Sequence, residues 1–170
     1  MTDQGLLRVA ELTAGRAPTV ESDPYIPLKI RWVSPALRQG PPPVYVRVSG
    51  LAGGELELRI DRISGELLVL TVLSLGAIVP ESPLPYPTET PEPACGLVMD
   101  TAPWEGEENV IDVELLLRPY RLPDGLRVDI VGAEPRRLVN CGPRLTLGID
   151  ADGALASLSA TLDIEERHFR

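Results

Sequence analysis

The chain has 170 residues, a length that suits one domain able to bury about 70% of the surface its unfolded form exposes. Its 44% hydrophobic content excludes a disordered tail, and no apolar run is long enough for a membrane helix. The formal net charge of −9 should repel phosphate backbones, so neither nucleic acid nor a membrane is an expected partner, whereas a basic protein would be attracted.

The N-terminal segment is polar along its length. Asp3, Arg8 and Glu11 interrupt the stretch that a secretory signal would need to keep apolar. We therefore expect a cytoplasmic protein. A short helix or strand is expected around Leu6–Leu12, as an addition to the edge of a sheet.

Short runs that alternate apolar and polar residues predict half-buried β-strands through the rest of the chain. Examples are VYVRVSG at 44–50, LELRID at 56–61 and LTLGID at 145–150. The dipeptides Ser64-Gly65 and Asp152-Gly153 supply turn residues for hairpins, because glycine tolerates a positive φ. The alternation predicts ten buried positions, namely Val46, Val48, Leu58, Ile60, Leu70, Val128, Ile130, Leu147, Ile149 and Leu158.

The two halves of the chain resemble each other. Residues 56–73 match residues 145–162 as strand, turn and strand, and the strand at 44–50 aligns with the one at 126–132. Upstream, Ile30 aligns with Leu115. Repeated elements in constant order favour an internal duplication. The sequence thus predicts a mostly β single domain, 1–170, in which two tandem four-stranded units at 28–74 and 111–163 pack as a β-sandwich or closed barrel with pseudo-two-fold symmetry.

The connection between the two units, residues 79–109, holds seven prolines, seven acidic residues and no basic residue. Proline fixes φ and removes a hydrogen-bond donor, so the segment should be extended. It is either a plain linker or an ordered acidic arm. The residues with which an arm could dock are Leu84, Tyr86, Leu97, Val98, Met99 and Trp104.

Residues suited to catalysis are few. His168 is the single histidine and lies two positions before the last residue, while Cys95 and Cys141 are far apart and form no C-x-x-C pair. The pattern at Asp150-Ala151-Asp152-Gly153 lacks the later ligands of a calcium loop and indicates a turn. We therefore predict no catalytic, cofactor or metal site, with two alternatives left open. These are a carboxylate enzyme using the acidic residues near 105–114, and a small-molecule pocket between the sheets beside Trp32 or Trp104.

The hairpin at Leu56–Leu73, with its apolar-x-apolar-x-Ile-Asp strand and glycine turn, resembles hairpins in small bacterial β-sheet immunity proteins of polymorphic toxin systems. The resemblance covers the hairpins only. It implies a non-catalytic inhibitor that binds a toxin domain and blocks its active site.

The predicted function is therefore a non-catalytic protein-binding module, with a basic toxin as one candidate partner. A small-molecule-binding protein, a structural component of a larger assembly and a homo-oligomer are the alternatives. The predicted docking surface is the acidic segment 81–114, because a large aromatic within a rim of one charge sign is typical of binding hot spots. Trp104 is the predicted anchor, and the steering residues are Glu105, Glu107, Glu108, Asp112 and Glu114.

Overall fold

The computed structural model describes residues 3–15, 17–32, 40–87, 90–94, 96–106 and 108–163. Within these ranges the protein is almost entirely β-strand, with two short 3-10 helices at Asp3–Leu7 and Ala102–Trp104. The strands are β1 (Val9–Thr13), β2 (Thr19–Glu21), β3 (Leu28–Arg31), β4 (Val44–Gly50), β5 (Glu55–Ile60), β6 (Leu67–Ser74), β7 (Glu92–Pro93), β8 (Gly96–Met99), β9 (Val110–Leu115), β10 (Leu117–Leu122), β11 (Gly125–Ile130), β12 (Arg137–Asn140), β13 (Leu145–Ile149) and β14 (Leu155–Thr161).

The strands form two six-stranded sheets and one small two-stranded sheet. The first sheet has the order β2-β3-β6-β5-β4-β9, and the second has the order β10-β11-β14-β13-β12-β7. Neighbouring strands are antiparallel except at one edge of each sheet, where β9 lies parallel to β4 and β7 lies parallel to β12. The small sheet pairs β1 with β8. Strand order and strand direction are therefore the same in the two large sheets.

One hydrophobic cluster receives residues from both large sheets, because each strand turns alternate side chains to the interior. All ten positions predicted to be buried are buried, with no more than 3% of any of them exposed. The mostly β prediction is confirmed. The described strands do not close into a barrel, since each sheet keeps two separate edges.

Both predicted hairpin turns form, and an aspartate closes each one. Asp61 Oδ1 accepts hydrogen bonds from the backbone N–H groups of Ile63 and Ser64, and Asp150 Oδ1 accepts from those of Asp152 and Ala154. Glycine follows in each turn at a φ of +75° (residue 65) and +86° (residue 153), which other residues rarely adopt. The Asp150 carboxylate is thus part of the turn, as its sequence context predicts.

The division into units at 28–74 and 111–163 does not match the sheets. Strand β9 lies largely within the second range but pairs with β4 of the first sheet, and β7, from the connection, pairs with β12 of the second. The predicted alignment of the upstream strands is also wrong. Strand β4 pairs with β5, the first strand of the β5–β6 hairpin, whereas β11 pairs with β14, the second strand of the β13–β14 hairpin. Strands β4 and β11 therefore lie at different positions in their sheets.

The N-terminal prediction is confirmed in part, because the 3-10 helix Asp3–Leu7 and strand β1 occupy that segment. Strand β1 adds to β8 rather than to either large sheet. In the described part of the chain, no helix has both the length and the apolar character needed to cross a membrane.

Candidate functional site

The described residues in the proline-rich part of the connection, 79–87 and 90–93, form an ordered strap over the outer face of the second sheet. Val79 begins the strap beside β10, where its N–H donates to the Pro119 carbonyl at 2.8 Å. The strap ends as β7 beside β12, where Arg137 forms an ion pair with Glu92 at 2.7 Å. Six prolines remove N–H donors between these points, so the strap crosses the sheet without extending its ladder. Of the two alternatives for the connection, the ordered arm is present in this described part.

Arg127 of β11 holds the middle of the strap. Its guanidinium binds both carboxylate oxygens of Asp129, at 2.6 and 3.0 Å, and donates to the Leu84 carbonyl at 2.8 Å. It also lies 3.9 Å from the centre of the Tyr86 ring, and the Ser157 hydroxyl donates to Tyr86 Oη at 3.0 Å. Arg127 is 5% exposed, so these contacts are made largely out of water, where charge-assisted hydrogen bonds are strong.

Burial raises the pKa of Tyr86 above its ordinary value, although the Ser157 hydrogen bond and the charge of Arg127 oppose the shift. The fold therefore favours the neutral phenol. We expect its contribution to stability to be complete below about pH 10 and to be lost as the pH rises through the raised folded-state pKa. The free energy of unfolding, measured in urea at a series of pH values from neutral into the alkaline range, should show this loss.

Tyr86→Phe should lack that part of the alkaline loss, because no phenol remains to titrate under the strap. Tyr25→Phe is the matched control, since it also removes a phenol hydroxyl, but from a side chain that is 88% exposed. Parallel pH profiles for the wild type and Tyr86→Phe would contradict the prediction.

A groove of about 920 Å³ opens between the strap, the outer face of the second sheet and the loop after β11. Arg118, Tyr120, Arg127 and Asp129 form its floor, because they occupy outward positions on β10 and β11. Its walls are Leu84–Pro87 on the strap and Val131–Arg136 in the loop. The groove lies outside the second sheet and not between the sheets. Trp32 and Trp104, beside which a pocket is predicted, are instead packed in the core.

A second feature is an acidic patch at the β9 edge of the first sheet, made of Glu55, Glu57, Asp112 and Glu114. Parallel pairing of β9 with β4 sets Asp112 beside Arg47, and Arg47 pairs with Glu57 at 3.5 Å. The next row across the sheet joins Glu114 and Glu55 through Ser49 of β4. The four carboxylates and Arg47 thus occupy two neighbouring rows of an outward face whose next row carries Arg31 and Arg59.

Sequence reasoning places only the β9 half of this patch. Asp112 and Glu114 are exposed on one side of the strand, and Glu105 and Glu108 are exposed in the loop before it, as expected for steering residues. Glu107 lies outside the described residues. Glu55 and Glu57 were missed because they are 55 and 53 positions before the start of β9 in sequence. Alternation in β5 turns them outward, but no local signal indicates which strand lies beside β4.

The predicted anchoring role of Trp104 does not fit the structure. Trp104 is 2% exposed and belongs to the hydrophobic cluster, where it follows the buried residues Leu97 and Met99 of β8. The 3-10 turn at Ala102–Trp104 directs the ring inward. The apolar surface beside the acidic patch is instead made by Val110, which is 37% exposed, and the half-buried Tyr45 in register with it.

Groups capable of nucleophilic or metal chemistry are sparse in the described ranges. Cys141 is 1% exposed in the core, and Cys95 and His168 lie outside the described residues. Across those ranges, no cluster of three or more His, Cys, Asp or Glu residues has an arrangement able to hold a metal ion.

A comparison of the chain with models of known protein families gives no match, and a comparison with curated proteins gives none either.

Proposed function

We propose that the protein is a non-catalytic binding module for a basic protein, and that the acidic patch is its docking surface. The observation that carries the proposal is the gathering of Glu55, Glu57, Asp112 and Glu114 in two neighbouring rows across β5, β4 and β9, with Arg47 between them. A concentrated field of one sign steers a partner of opposite charge and raises its association rate.

Val110 and Tyr45 supply the apolar contact that charge alone lacks. They are neighbours across β9 and β4, one row away from Asp112 and Arg47, so a partner could cover both rows at once. Exposed aromatic and aliphatic groups beside charged residues form the usual core and rim of a protein interface. The resemblance to immunity proteins implies that the partner is a toxin domain. A toxin domain that acts on nucleic acid would present a basic surface.

The two sheets also differ in a way that favours this face. The strap covers the middle of the second sheet, whereas Glu55, Asp112 and Glu114 remain exposed on the outer face of the first. A partner can therefore reach this face of the first sheet without displacing any segment that the structure describes.

We further propose that both sheets derive from one duplicated unit in which β2–β6 correspond to β10–β14. Lys29 pairs with Thr71 as Arg127 pairs with Ser159, and both basic residues lie on the outer face. Superposition of the two sets of strands tests the proposal. Lys29 should fall on Arg127, and a different register would contradict it.

A charge-neutralised variant tests the docking surface. We expect Glu55→Gln, Asp112→Asn and Glu114→Gln together to slow association with the partner about tenfold and to weaken its salt dependence, while dissociation changes little. The partner is first captured from the native host with the wild-type protein, and rates are then measured by surface plasmon resonance.

The matched control is Glu81→Gln, Asp124→Asn and Asp152→Asn, three exposed carboxylates away from the patch. Both triple variants change the net charge from −9 by +3, to −6. Equal slowing by the two would show that net charge acts and not the patch. Substrate turnover that is abolished by replacing one carboxylate would overturn the non-catalytic assignment.

A further inference from the structure

We propose that the groove beside the strap binds a small organic monoanion, such as a carboxylate, whose apolar body lies against the strap. This site is on the second sheet, whereas the acidic patch is on the first, so the two proposals fail independently. The volume of about 920 Å³ is within the range of small-molecule sites, roughly 300–1,000 Å³.

Arg118 supplies the anion contact. It is exposed in the groove, and no hydrogen bond or ion pair joins its side chain to any other residue that the structure describes. Its neighbour across the ladder is Asp129, but Arg127 already occupies both oxygens of that carboxylate. The planar guanidinium of Arg118 is therefore free to bind a carboxylate through two parallel hydrogen bonds.

Arg127 adds a second positive group to the same floor. It lies diagonally across the ladder from Arg118, at a separation of about 7–8 Å between backbones. Three of the five guanidinium N–H donors of Arg127 are accounted for by Asp129 and Leu84. A donor of Arg127 can therefore reach an anion that is held by Arg118.

The charge of the site favours one negative group and not two. Asp129 compensates Arg127, and Glu134 compensates Arg136 through an ion pair at 2.7 Å. Glu81 on the strap adds a further negative charge to the lining. A dianion such as phosphate would meet too little positive charge, whereas a monoanion matches the free Arg118.

The walls of the groove suit an apolar body. Leu84 is 81% exposed, and Pro85, Pro87 and Pro135 present rigid apolar rings around it. Tyr120 contributes an aromatic face on the floor. Apolar walls with a few convergent polar groups are typical of small-molecule sites.

Two fluorescent probes with the same aromatic body test the proposal. Anilinonaphthalene sulfonate carries one negative charge, and phenylnaphthylamine carries none. We expect the sulfonate to bind the wild-type protein at one site, more tightly than the neutral probe, and Arg118→Gln to weaken sulfonate binding about tenfold. The affinity of the neutral probe should be the same in both proteins.

Arg31→Gln is the matched control, because Arg31 is exposed on β3 of the first sheet, whereas the floor of the groove is on the second sheet. It removes the same charge and should leave sulfonate binding unchanged. The proposal is overturned if the sulfonate does not bind at millimolar concentration, if Arg118→Gln binds it like the wild type, or if Arg31→Gln weakens it equally.

Discussion

Replacing Arg127 with Ala is expected to lower the free energy of unfolding by about 3 kcal/mol, near the lower end of the effect of breaking a buried ion pair. The side chain of Arg127 is 6% exposed and that of Asp129 is 21% exposed, so the variant leaves a poorly hydrated carboxylate without its partner. The Leu84 carbonyl and the Tyr86 ring lose their contacts at the same time. Chemical denaturation followed by circular dichroism measures the change.

Arg137→Ala is the matched control for Arg127→Ala. Arg137 also pairs with a carboxylate, Glu92, and the N–O distance of 2.7 Å is similar, but the two side chains are 54% and 52% exposed. Exposed pairs contribute about 0–1 kcal/mol, so this variant should remain close to the wild type. Equal losses in the two variants would show that burial of Arg127 does not strengthen its contacts.

The strap gives the Arg127 prediction a second measurement. If Arg127 holds the strap, the Val79 amide, which donates to the Pro119 carbonyl, should exchange hydrogen faster in Arg127→Ala than in the wild type, beyond the increase caused by global unfolding. Arg127→Lys keeps the charge but not the planar fork that binds Asp129 and stacks on Tyr86, so it should recover only part of the protection.

The sequence predicts local features of this fold well. The hairpins at β5–β6 and β13–β14 were predicted because alternation and turn residues are contained in short segments. Burial of Leu58 and Leu147 follows from the same alternation. The turn glycines at 65 and 153 were also predicted, since few other residues adopt their φ values.

Long-range strand pairing could not be predicted in this way. Strand β9 follows β4 by 60 residues in the chain, and its parallel pairing depends on the route of the connection between them. Alternation in β9 is equally compatible with any neighbour. The predicted four-stranded units failed here, and the acidic patch was seen only in part for the same reason.

The strap shows why burial of polar residues is difficult to predict from alternation. Arg127 and Asp129 alternate with Val128 in β11, which correctly turns them away from the core. Alternation does not reveal that a proline-rich segment lies over them, with Leu84 contacting Arg127 from 43 positions earlier. Alternation predicts only that these side chains point outward, whereas the structure buries Arg127 and partly buries Asp129 and Tyr86 with it.

Trp104→Ala is expected to lower the free energy of unfolding by about 3–5 kcal/mol, the range for truncating a buried large aromatic. Trp104 is 2% exposed and shares the cluster with Leu97 and Met99, so truncation leaves a cavity that its neighbours cannot fill completely. Trp104→Phe should cost less, because a ring remains. Trp104→Phe also removes the indole N–H, but this breaks no hydrogen bond, since no described residue accepts one from Trp104 Nε1.

The same variants separate a core role from a docking role for Trp104. A core role predicts a loss of stability, measured by urea unfolding, with partner dissociation unchanged for Trp104→Phe under conditions in which it is folded. A docking role predicts faster dissociation with stability unchanged. Tyr45→Ala provides the opposite case, because Tyr45 is only half buried beside the exposed Val110. Tyr45→Ala should speed dissociation and lower the free energy of unfolding less than Trp104→Ala does. Faster dissociation in the Trp104 variants, with Tyr45→Ala dissociating like the wild type, would show that Trp104 is the anchor.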